Sequence, residues 1–384
     1  MRNSIRLKYL CASFSTPITQ EEINKEEKYP VFGAGGIVGY KKEYACEQEY
    51  LGIIKDGAGV GRVGKYRGHS SLLGTMAYIV PNKATNIDWL KYVLIQLDLG
   101  KSASLTTIPH IYFKDYGNRL VANVDIKEQQ RIAEYLDRKC AEIDAVIADT
   151  QKTIDEYKAL KQSIITEAVT KGIRPNRPMK DSGVEWIGMM PNEWDSQRLK
   201  YVAHCIQVKY DSSCGDMSYI GLENIVSWNG KYIETDSKYD QSQSFICEEG
   251  DILFGKLRPY LAKVYISPKR QCCSSEFVVF RVKNKYHNRF YWYQLISHGF
   301  VFMVDRSTYG TKMPRANAEY IKNIEVSIPP TLEQIEIAYY LDNRCLEMDK
   351  VIDAKQQVIA NLEFYKRSLI YEYVTGKKEV PVCP

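Results

Sequence analysis

The sequence predicts an α+β fold with two mixed α/β domains in a tandem pseudo-repeat, separated by two long helices that form an antiparallel coiled coil. Three observations predict this fold. The 384-residue chain contains an internal repeat, each copy ends in a long heptad pattern, and each copy begins with short strand-like segments. At roughly 100–200 residues per domain, the length leaves room for two to three domains with their own cores.

The repeat is defined by a short segment that occurs twice. Glu128–Asp137 and Glu333–Asp342 share the pattern Glu-Gln-x-x-Ile-Ala-x-x-Leu-Asp at a shift of 205 positions. The same shift continues without a gap and pairs Cys140 with Cys345 and Val169 with Val374. Near the start of each copy, Arg6–Tyr9 recurs as Arg198–Tyr201. The chain is therefore a tandem duplication.

Each copy carries a coiled-coil seam, in which apolar residues are spaced mostly by four and three. The seam residues are Leu136, Cys140, Ile143, Ile147, Ile154 and Tyr157 in the first copy, and Leu341, Cys345, Met348, Ile352, Ile359 and Leu362 in the second. No proline or glycine interrupts 128–171 or 333–375. Helices of this length, about 65 Å, are expected to pair with each other; the alternative is that each covers its own domain.

These patterns give the domain boundaries. The first domain spans residues 1–127, and its long helix spans 128–172. A linker at 173–196 leads to the second domain at 197–330, the second long helix at 331–376 and a tail at 377–384. Strand-like runs fill both domains, with short helices near 88–99 and 291–304. We expect the linker to be ordered because Trp186 and Trp194 would be costly to expose.

Composition excludes several classes of protein. Hydrophobic residues at 45% and charged residues at 26% are typical of a globular chain. No run approaches the roughly 18–20 apolar residues of a membrane span, and the amino end lacks a secretory signal, so we expect a cytoplasmic location. The 10 cysteines lack disulfide or metal-ligand spacing, which predicts reduced thiols and no metal site.

The charge is distributed unevenly along the chain. The net charge is −2 over residues 128–172 and −3 over 333–376, whereas the whole chain is +5, so the remaining residues carry +10. Basic domains beside acidic spacer helices are typical of a protein whose domains face a polyanion. We therefore expect nucleic-acid binding by the two domains.

In the first domain, the glycine-rich segment 57–65 fits G-x-G-x-x-G and most of a P-loop. A P-loop requires Ser or Thr after the lysine, where Tyr66 stands, and either motif must open a helix, whereas a strand-like run follows. We predict instead a tight basic loop that contacts DNA, with a plain surface hairpin as the alternative. The candidate residues are Lys55, Arg62, Lys65 and Arg67.

In the second domain, two turns combine cations with aromatic or amide groups. The first contains Lys256, Arg258 and Tyr260, and the second contains Lys312, Arg315 and Asn317. Arginine and lysine can donate to guanine acceptors, and tyrosine can bind phosphate. His110 is the candidate in the corresponding, less basic turn of the first domain. A purely structural role in the turns is the alternative for each residue.

No catalytic motif accompanies these candidates. The sequence has no Asp/Asn-Pro-Pro-Tyr/Phe for amino-methyl transfer, no G-x-S-x-G and no convincing set of nuclease carboxylates. We therefore expect a non-catalytic protein with no cofactor of its own.

Taken together, these motifs resemble the specificity subunit of type I restriction-modification systems. The resemblance rests on the duplicated Glu-Gln-x-x-Ile-Ala-x-x-Leu-Asp segments and long helices, the linker 179–194, Gly250–Leu253 and Gly310–Arg315. It implies two target-recognition domains, each recognising half of a bipartite double-stranded DNA sequence. It further implies two methyltransferase subunits that bind S-adenosylmethionine and, optionally, two restriction/translocase subunits.

The first copy departs from this pattern because it begins at Met1 without a counterpart of 186–194. The resemblance implies that the amino end contacts the carboxyl-terminal helix. Two other functions remain open from the residues alone. A non-catalytic coiled-coil scaffold could join two protein-binding domains, or the chain could be a self-contained DNA enzyme.

Overall fold

The computed structural model describes residues 4–57, 59–102, 109–211, 217–235, 244–310 and 312–381. The chain forms two compact units. The first unit comprises residues 1–151 and 356–384, and the second comprises 152–355. Each long helix contributes one part of its length to each unit. Within the described part of the chain, none of the helices combines the length and the apolar composition of a membrane span.

The first unit is built on a four-stranded antiparallel sheet of order β2-β8-β5-β6. A three-stranded sheet of order β4-β3-β7, in which β3 and β7 are parallel, and the pair β1-β9 complete it. The strands are β1 (Ser4–Arg6), β2 (Cys11–Phe14), β3 (Tyr29–Gly33), β4 (Gly36–Lys41), β5 (Tyr50–Ile54), β6 (Val63–Tyr66), β7 (Ser71–Leu72), β8 (Met76–Pro81) and β9 (Leu120–Ala122). The helices are α1 (Ile87–Gln96), α2 (Phe113–Tyr116) and the first part of α3 (Ile126–Lys171).

The second unit repeats the four-stranded sheet as β13-β19-β16-β17 and the strand pair as β12-β20. Its three-stranded sheet has the order β14-β18-β15, in which β14 and β18 are parallel. The linker adds the hairpin β10-β11. The strands are β10 (Met179–Asp181), β11 (Met189–Pro191), β12 (Asp195–Arg198), β13 (Ala203–Ile206), β14 (Tyr219–Ile220), β15 (Phe245–Cys247), β16 (Ile252–Gly255), β17 (Val264–Ile266), β18 (Gln271–Cys273), β19 (Phe277–Val282) and β20 (Glu325–Ile328). The helices are α4 (Leu199–Val202), α5 (Asn288–Ile296), α6 (His298–Arg306), α7 (Ala318–Asn323) and the first part of α8 (Thr331–Val374).

The short helices differ in one respect from the sequence prediction. The helix expected near 88–99 is α1, and Asn86 caps it by accepting hydrogen bonds from the backbone N–H groups of Asp88 and Trp89. The helix expected near 291–304 is instead two helices, α5 and α6, separated at Ser297. The Ser297 hydroxyl accepts a hydrogen bond from the Phe300 backbone N–H, so it starts a new helix rather than continuing the first.

The long helices run antiparallel in each unit. In the first unit, Tyr135 packs on Tyr373 with ring centroids 4.6 Å apart, and Asp144 pairs with Lys366 at 2.6 Å. In the second unit, Lys161 Nζ lies 2.7 Å from Asp349 Oδ1. The two ion pairs occupy equivalent positions of the repeat. The predicted fold class is confirmed.

The seam residues also join each long helix to its own domain. Leu136 and Cys140 lie in one core with Leu90 of α1, and Leu341 and Cys345 share a core with Phe290 of α5. The other seam residues are buried or half-buried: Ile143, Ile147, Ile154, Tyr157, Met348, Ile352, Ile359 and Leu362. Each long helix therefore pairs with the other and also covers its own domain, so the two alternatives given by the sequence are both present.

The repeated glutamine of the sequence motif anchors the domain helix. In the first unit, Gln129 is buried; its Oε1 accepts from the Asn86 backbone N–H at 2.7 Å, and its Nε2 donates to the Val124 carbonyl at 2.8 Å. Gln334 makes the equivalent bonds in the second unit, to the His287 backbone N–H at 2.9 Å and the Pro329 carbonyl at 2.8 Å. Each glutamine thus holds the residue that precedes α1 or α5.

The repeated aspartate provides the second anchor. Asp137 accepts a hydrogen bond from the Tyr92 hydroxyl at 2.6 Å, and Asp342 accepts one from the Tyr293 hydroxyl at 2.7 Å. The two tyrosines lie on α1 and α5. The Glu-Gln-x-x-Ile-Ala-x-x-Leu-Asp segment is therefore the attachment of each domain to its long helix.

The amino end of the chain packs against the carboxyl-terminal part of α8, both within the first unit. Leu7 and Leu10 belong to one core with Leu369 and Val374. In the second unit, the core that contains Leu199 also contains Val169 near the end of α3. The contact implied by the family resemblance is present.

The linker is fixed by a buried ion pair at the start of α8. The Glu333 side chain is 3% exposed, hydrogen-bonds the Arg177 guanidinium and accepts from Trp194 Nε1 at 3.0 Å. Burial opposes ionisation of Glu333, but the hydrogen bonds from Arg177 and Trp194 outweigh it and lower the pKa of this carboxyl. One turn along, Arg174 and Glu336 form a second pair between linker and helix that is exposed to solvent.

We predict that Glu333→Ala lowers the free energy of unfolding by about 1–3 kcal/mol, because it leaves Trp194 Nε1 and one side of the Arg177 guanidinium without a buried acceptor. Arg177 keeps its exposed partner Glu193, which limits the loss. Glu336→Ala is the matched control, since it removes a neighbouring but exposed linker contact and should cost less than about 1 kcal/mol. Urea unfolding of both variants measures the difference. Equal losses would show that the buried pair has no special role.

The pH dependence follows from the lowered pKa of Glu333. Its contribution is present above about pH 4.5, the ordinary value, and is lost as the pH falls through the lower folded pKa. The stability difference between the wild type and Glu333→Ala should therefore shrink in acid. A difference that stays constant down to about pH 2 would contradict this assignment.

Candidate nucleic-acid interface

A loop that follows β5 is held by three backbone hydrogen bonds, two of which join it to a second segment of the first unit. Lys55 N–H donates to the Thr75 carbonyl, Ile111 N–H donates to the Lys55 carbonyl and Gly57 N–H donates to the Pro109 carbonyl, each at 3.0 Å. We call the residues 55–57 and 109–111 the first frame. It brings together candidates that lie far apart in the sequence.

The loop that follows β16 makes the same three bonds in the second unit. Lys256 N–H donates to the Glu276 carbonyl at 2.9 Å, Ala316 N–H to the Lys256 carbonyl at 2.9 Å and Arg258 N–H to the Pro314 carbonyl at 2.7 Å. We call 256–258 and 314–316 the second frame. The two frames are equivalent in the repeat.

The equivalence assigns a counterpart to each candidate. Lys55 corresponds to Lys256 and His110 to Arg315, so each frame places cationic or titratable side chains on the same backbone positions. The third position differs, because Gly57 in the first frame is replaced by Arg258 in the second.

The second frame is strongly cationic. Arg315 makes a bidentate ion pair with Glu276, with nitrogen–oxygen distances of 2.6 and 3.2 Å. Arg258 Nη2 donates to the Lys312 carbonyl at 3.4 Å. Tyr260 lies in the turn that follows and is 44% exposed. The structure therefore brings the two predicted turns of this unit to one surface.

The first frame holds a carboxylate between its two candidate side chains. Asp56 Oδ2 lies 2.6 Å from Lys55 Nζ, and Asp56 Oδ1 lies 2.6 Å from His110 Nδ1. Burial raises the pKa of Asp56, but the hydrogen bonds from Lys55 and His110 outweigh it and hold the pKa below its ordinary value. This frame presents an ionised acceptor as well as donors.

Three other candidates of the first unit lie outside the frame. Lys65 on β6 contacts Asp88 at 3.0 Å and Glu49 at 3.3 Å. Arg62 is exposed and its Nε lies 3.4 Å from the Gly59 carbonyl, and Arg67 is exposed. The segment after the glycines continues as strand β6, not as a helix, which agrees with rejecting both nucleotide motifs.

Asn317 has a structural function. Its side-chain oxygen accepts a hydrogen bond from the Glu319 backbone N–H at 2.8 Å and so caps α7. Of the described residues, no group of three His, Cys, Asp or Glu side chains could hold a metal ion.

The structure adds residues that the sequence analysis missed. Tyr309, 65% exposed, and Met313, 57% exposed, lie in a hairpin closed by reciprocal backbone hydrogen bonds between Tyr309 and Arg315. The sequence does contain a signal for this turn, because Tyr309 precedes a glycine and Met313 precedes a proline, and both residue types are common in exposed turns. The Glu276–Arg315 and Asp56–His110 contacts could not be identified from the sequence, because the partners are 39 and 54 residues apart.

Comparison with known proteins identifies relatives along almost the whole chain. The family model of the type I restriction modification DNA specificity domain matches residues 4–167 and 191–363. The MjaVIII specificity subunit of Methanocaldococcus jannaschii is 24% identical over 88% of this chain and 81% of its own length. The EcoDI specificity subunit of Escherichia coli is 23% identical over 92% and 83%, respectively. Both are specificity subunits of type I restriction enzymes.

Solved structures with the same fold include one from a type I restriction-modification system. A chain from a study of complex assembly and conformational transition of the type I R-M system superimposes with a TM-score of 0.68. The match covers 98% of each chain at 13% sequence identity, so it supports the architecture described above.

We predict that Lys256→Ala weakens DNA binding and reduces the slope of log affinity against log salt by about 0.9, the value for one phosphate contact. The matched control is Lys269→Ala. Lys269 is exposed in the turn between β17 and β18. This turn lies at the end of the β16–β17 pair that is opposite to Lys256, and Lys269→Ala changes the net charge by the same amount as Lys256→Ala. Titration of a target duplex at several salt concentrations measures both. Equal slopes for the two variants would contradict a role for the second frame.

Proposed function

The chain belongs to the type I restriction modification DNA specificity family, and from this premise we propose that it recognises a bipartite DNA target, with one half-site for each unit. The observation that carries the proposal is the duplication of the frame. Two copies of one backbone arrangement, each with basic side chains, suit two contacts of the same kind with one duplex.

The two frames also differ in the ways that two half-sites require. The second frame presents Arg258 and the Arg315–Glu276 pair, whereas the first presents Asp56 between Lys55 and His110. A carboxylate accepts from cytosine or adenine amino groups, and arginine donates to guanine. The frames are therefore suited to different base sequences.

We further propose that the paired long helices set the spacer between the half-sites. A helix advances about 1.5 Å per residue, and DNA advances about 3.4 Å per base pair, so a heptad corresponds to roughly three base pairs. The negative charge of these helices supports a spacer function, because a direct phosphate contact would favour basic residues.

The protein itself is proposed to be non-catalytic. Two methyltransferase subunits, which bind S-adenosylmethionine, would modify adenine, and two restriction/translocase subunits would act where they are present. We place this complex in the cytoplasm, where a restriction-modification complex would meet its DNA. The chain would contribute the recognition of the sequence and the spacing of the two halves.

The test is a methylation map. The chain is co-expressed with its methyltransferase subunit in a host without DNA methylation, and methylated adenines are mapped across the genome. We expect a split motif of two defined halves around an unspecified gap. A stable complex without sequence-specific methylation would overturn the proposal and favour the scaffold that joins protein-binding domains.

The spacer is tested in the same host by deleting one heptad from both helices, residues 148–154 and 353–359, which are equivalent in the repeat. We expect a gap shorter by about three base pairs, or loss of methylation because the half-sites rotate relative to each other. Deletion from one helix alone, which disrupts the register of the pair, is the control. An unchanged motif in the double deletion would refute the spacer function.

A further inference from the structure

Arg258 has an unusual backbone conformation. Its φ of 49° and ψ of 60° lie in the left-handed region, although it carries a side chain and precedes Pro259. Both properties disfavour this conformation, because a Cβ crowds the neighbouring carbonyl and a following proline favours extended backbone. At the equivalent position of the first frame stands Gly57, with φ of 85°, for which the left-handed region is unstrained.

Neither the backbone bonds nor the packing of the second unit requires an arginine at position 258. Its backbone N–H makes the frame bond to the Pro314 carbonyl, which glycine makes in the first frame. Among the described residues, its side chain makes one hydrogen bond, at 3.4 Å, to the Lys312 carbonyl. A strained residue that neither the backbone nor the core requires indicates that its side chain serves function.

The duplication indicates which function. Features common to both frames, the backbone bonds and the lysines Lys55 and Lys256, suit what all half-sites share, which is the phosphate backbone. A feature present in only one frame suits what distinguishes the half-sites, which is the base sequence. Gly57 offers no side chain, whereas Arg258 offers a guanidinium, which donates to the Lys312 carbonyl.

We propose that Arg258 is a specificity-determining residue of the second unit and that its guanidinium recognises a guanine in the half-site that this unit contacts. Arginine donates two parallel hydrogen bonds to O6 and N7 of guanine in the major groove, which no other base accepts in the same way. The left-handed backbone holds the side chain at this place on the frame. This inference rests on the proposed bipartite function.

The test compares methylation maps of the wild type and Arg258→Gly. In the variant, one guanine position of one half-site loses its preference by on the order of 10- to 100-fold, while the other half-site and the spacer are unchanged. Because glycine removes the strain, thermal unfolding of the variant shifts upward by about 2–4 °C rather than downward. Loss of specificity with gained stability separates a recognition role from a structural one.

Two further variants make the test sharp. Ala262→Gly is the matched control, because Ala262 has a φ of 45° in the same turn but is buried and cannot reach DNA. The methylated motif of this variant should be the same as that of the wild type. Arg258→Lys keeps the charge but not the paired donors. It retains the salt dependence of binding and loses the same guanine preference.

The outcomes distinguish this inference from the function on which it rests. A wild type without a split motif overturns the proposed function itself. A wild type with a split motif, together with an Arg258→Gly map that keeps every position, overturns only the role of Arg258. Uniform weakening at all sites, rescued fully by Arg258→Lys, also overturns it and assigns Arg258 to a phosphate contact.

Discussion

The attachment of each domain to its long helix depends on a buried amide. Gln129 and Gln334 lie in the first turn of the long helices, out of contact with water, and a buried amide must have its hydrogen bonds satisfied inside the protein. In both units the bonds go to the residue before the domain helix and to the chain that enters the long helix. Together with the aspartate–tyrosine bond about two turns later, they fix the domain helix on the long helix. The sheets and the frames of each unit are placed by that attachment.

The duplication keeps this attachment and changes what the frames present. The three backbone bonds recur at equivalent positions, so the loops have the same course, whereas the acidic partner changes from Asp56 in the loop itself to Glu276 next to β19. A cation whose position is fixed by a carboxylate loses less conformational freedom on binding. The left-handed backbone of Arg258 also fixes the place of a cation, but it does so at a cost in folding stability. Shared backbone with different side chains is the arrangement that lets one fold recognise two sequences.

Much of the architecture could be predicted from the sequence because it follows from periodicity. The heptad pattern gave helices at 128–172 and 331–376, and the structure has Ile126–Lys171 and Thr331–Val374. Local signals were also sufficient in principle for Asn317, since Asn two residues before Glu at a helix start is a capping pattern. What could not be predicted depends on contacts between distant segments. Nothing local shows that the DNA-contact candidate Lys65 pairs with Asp88, 23 residues away. Nor does any local signal show that Lys256 meets the 314–316 segment.

We propose that the two equivalent frames contact equivalent features of the two half-sites. A structure of the chain with its methyltransferase subunits on a duplex that contains the mapped target tests this most directly. We expect Lys55 Nζ and Lys256 Nζ each to lie within about 3 Å of a phosphate oxygen, at corresponding positions of the two half-sites. Frames that face away from the duplex, or a phosphate contact from only one of the two lysines, would contradict it.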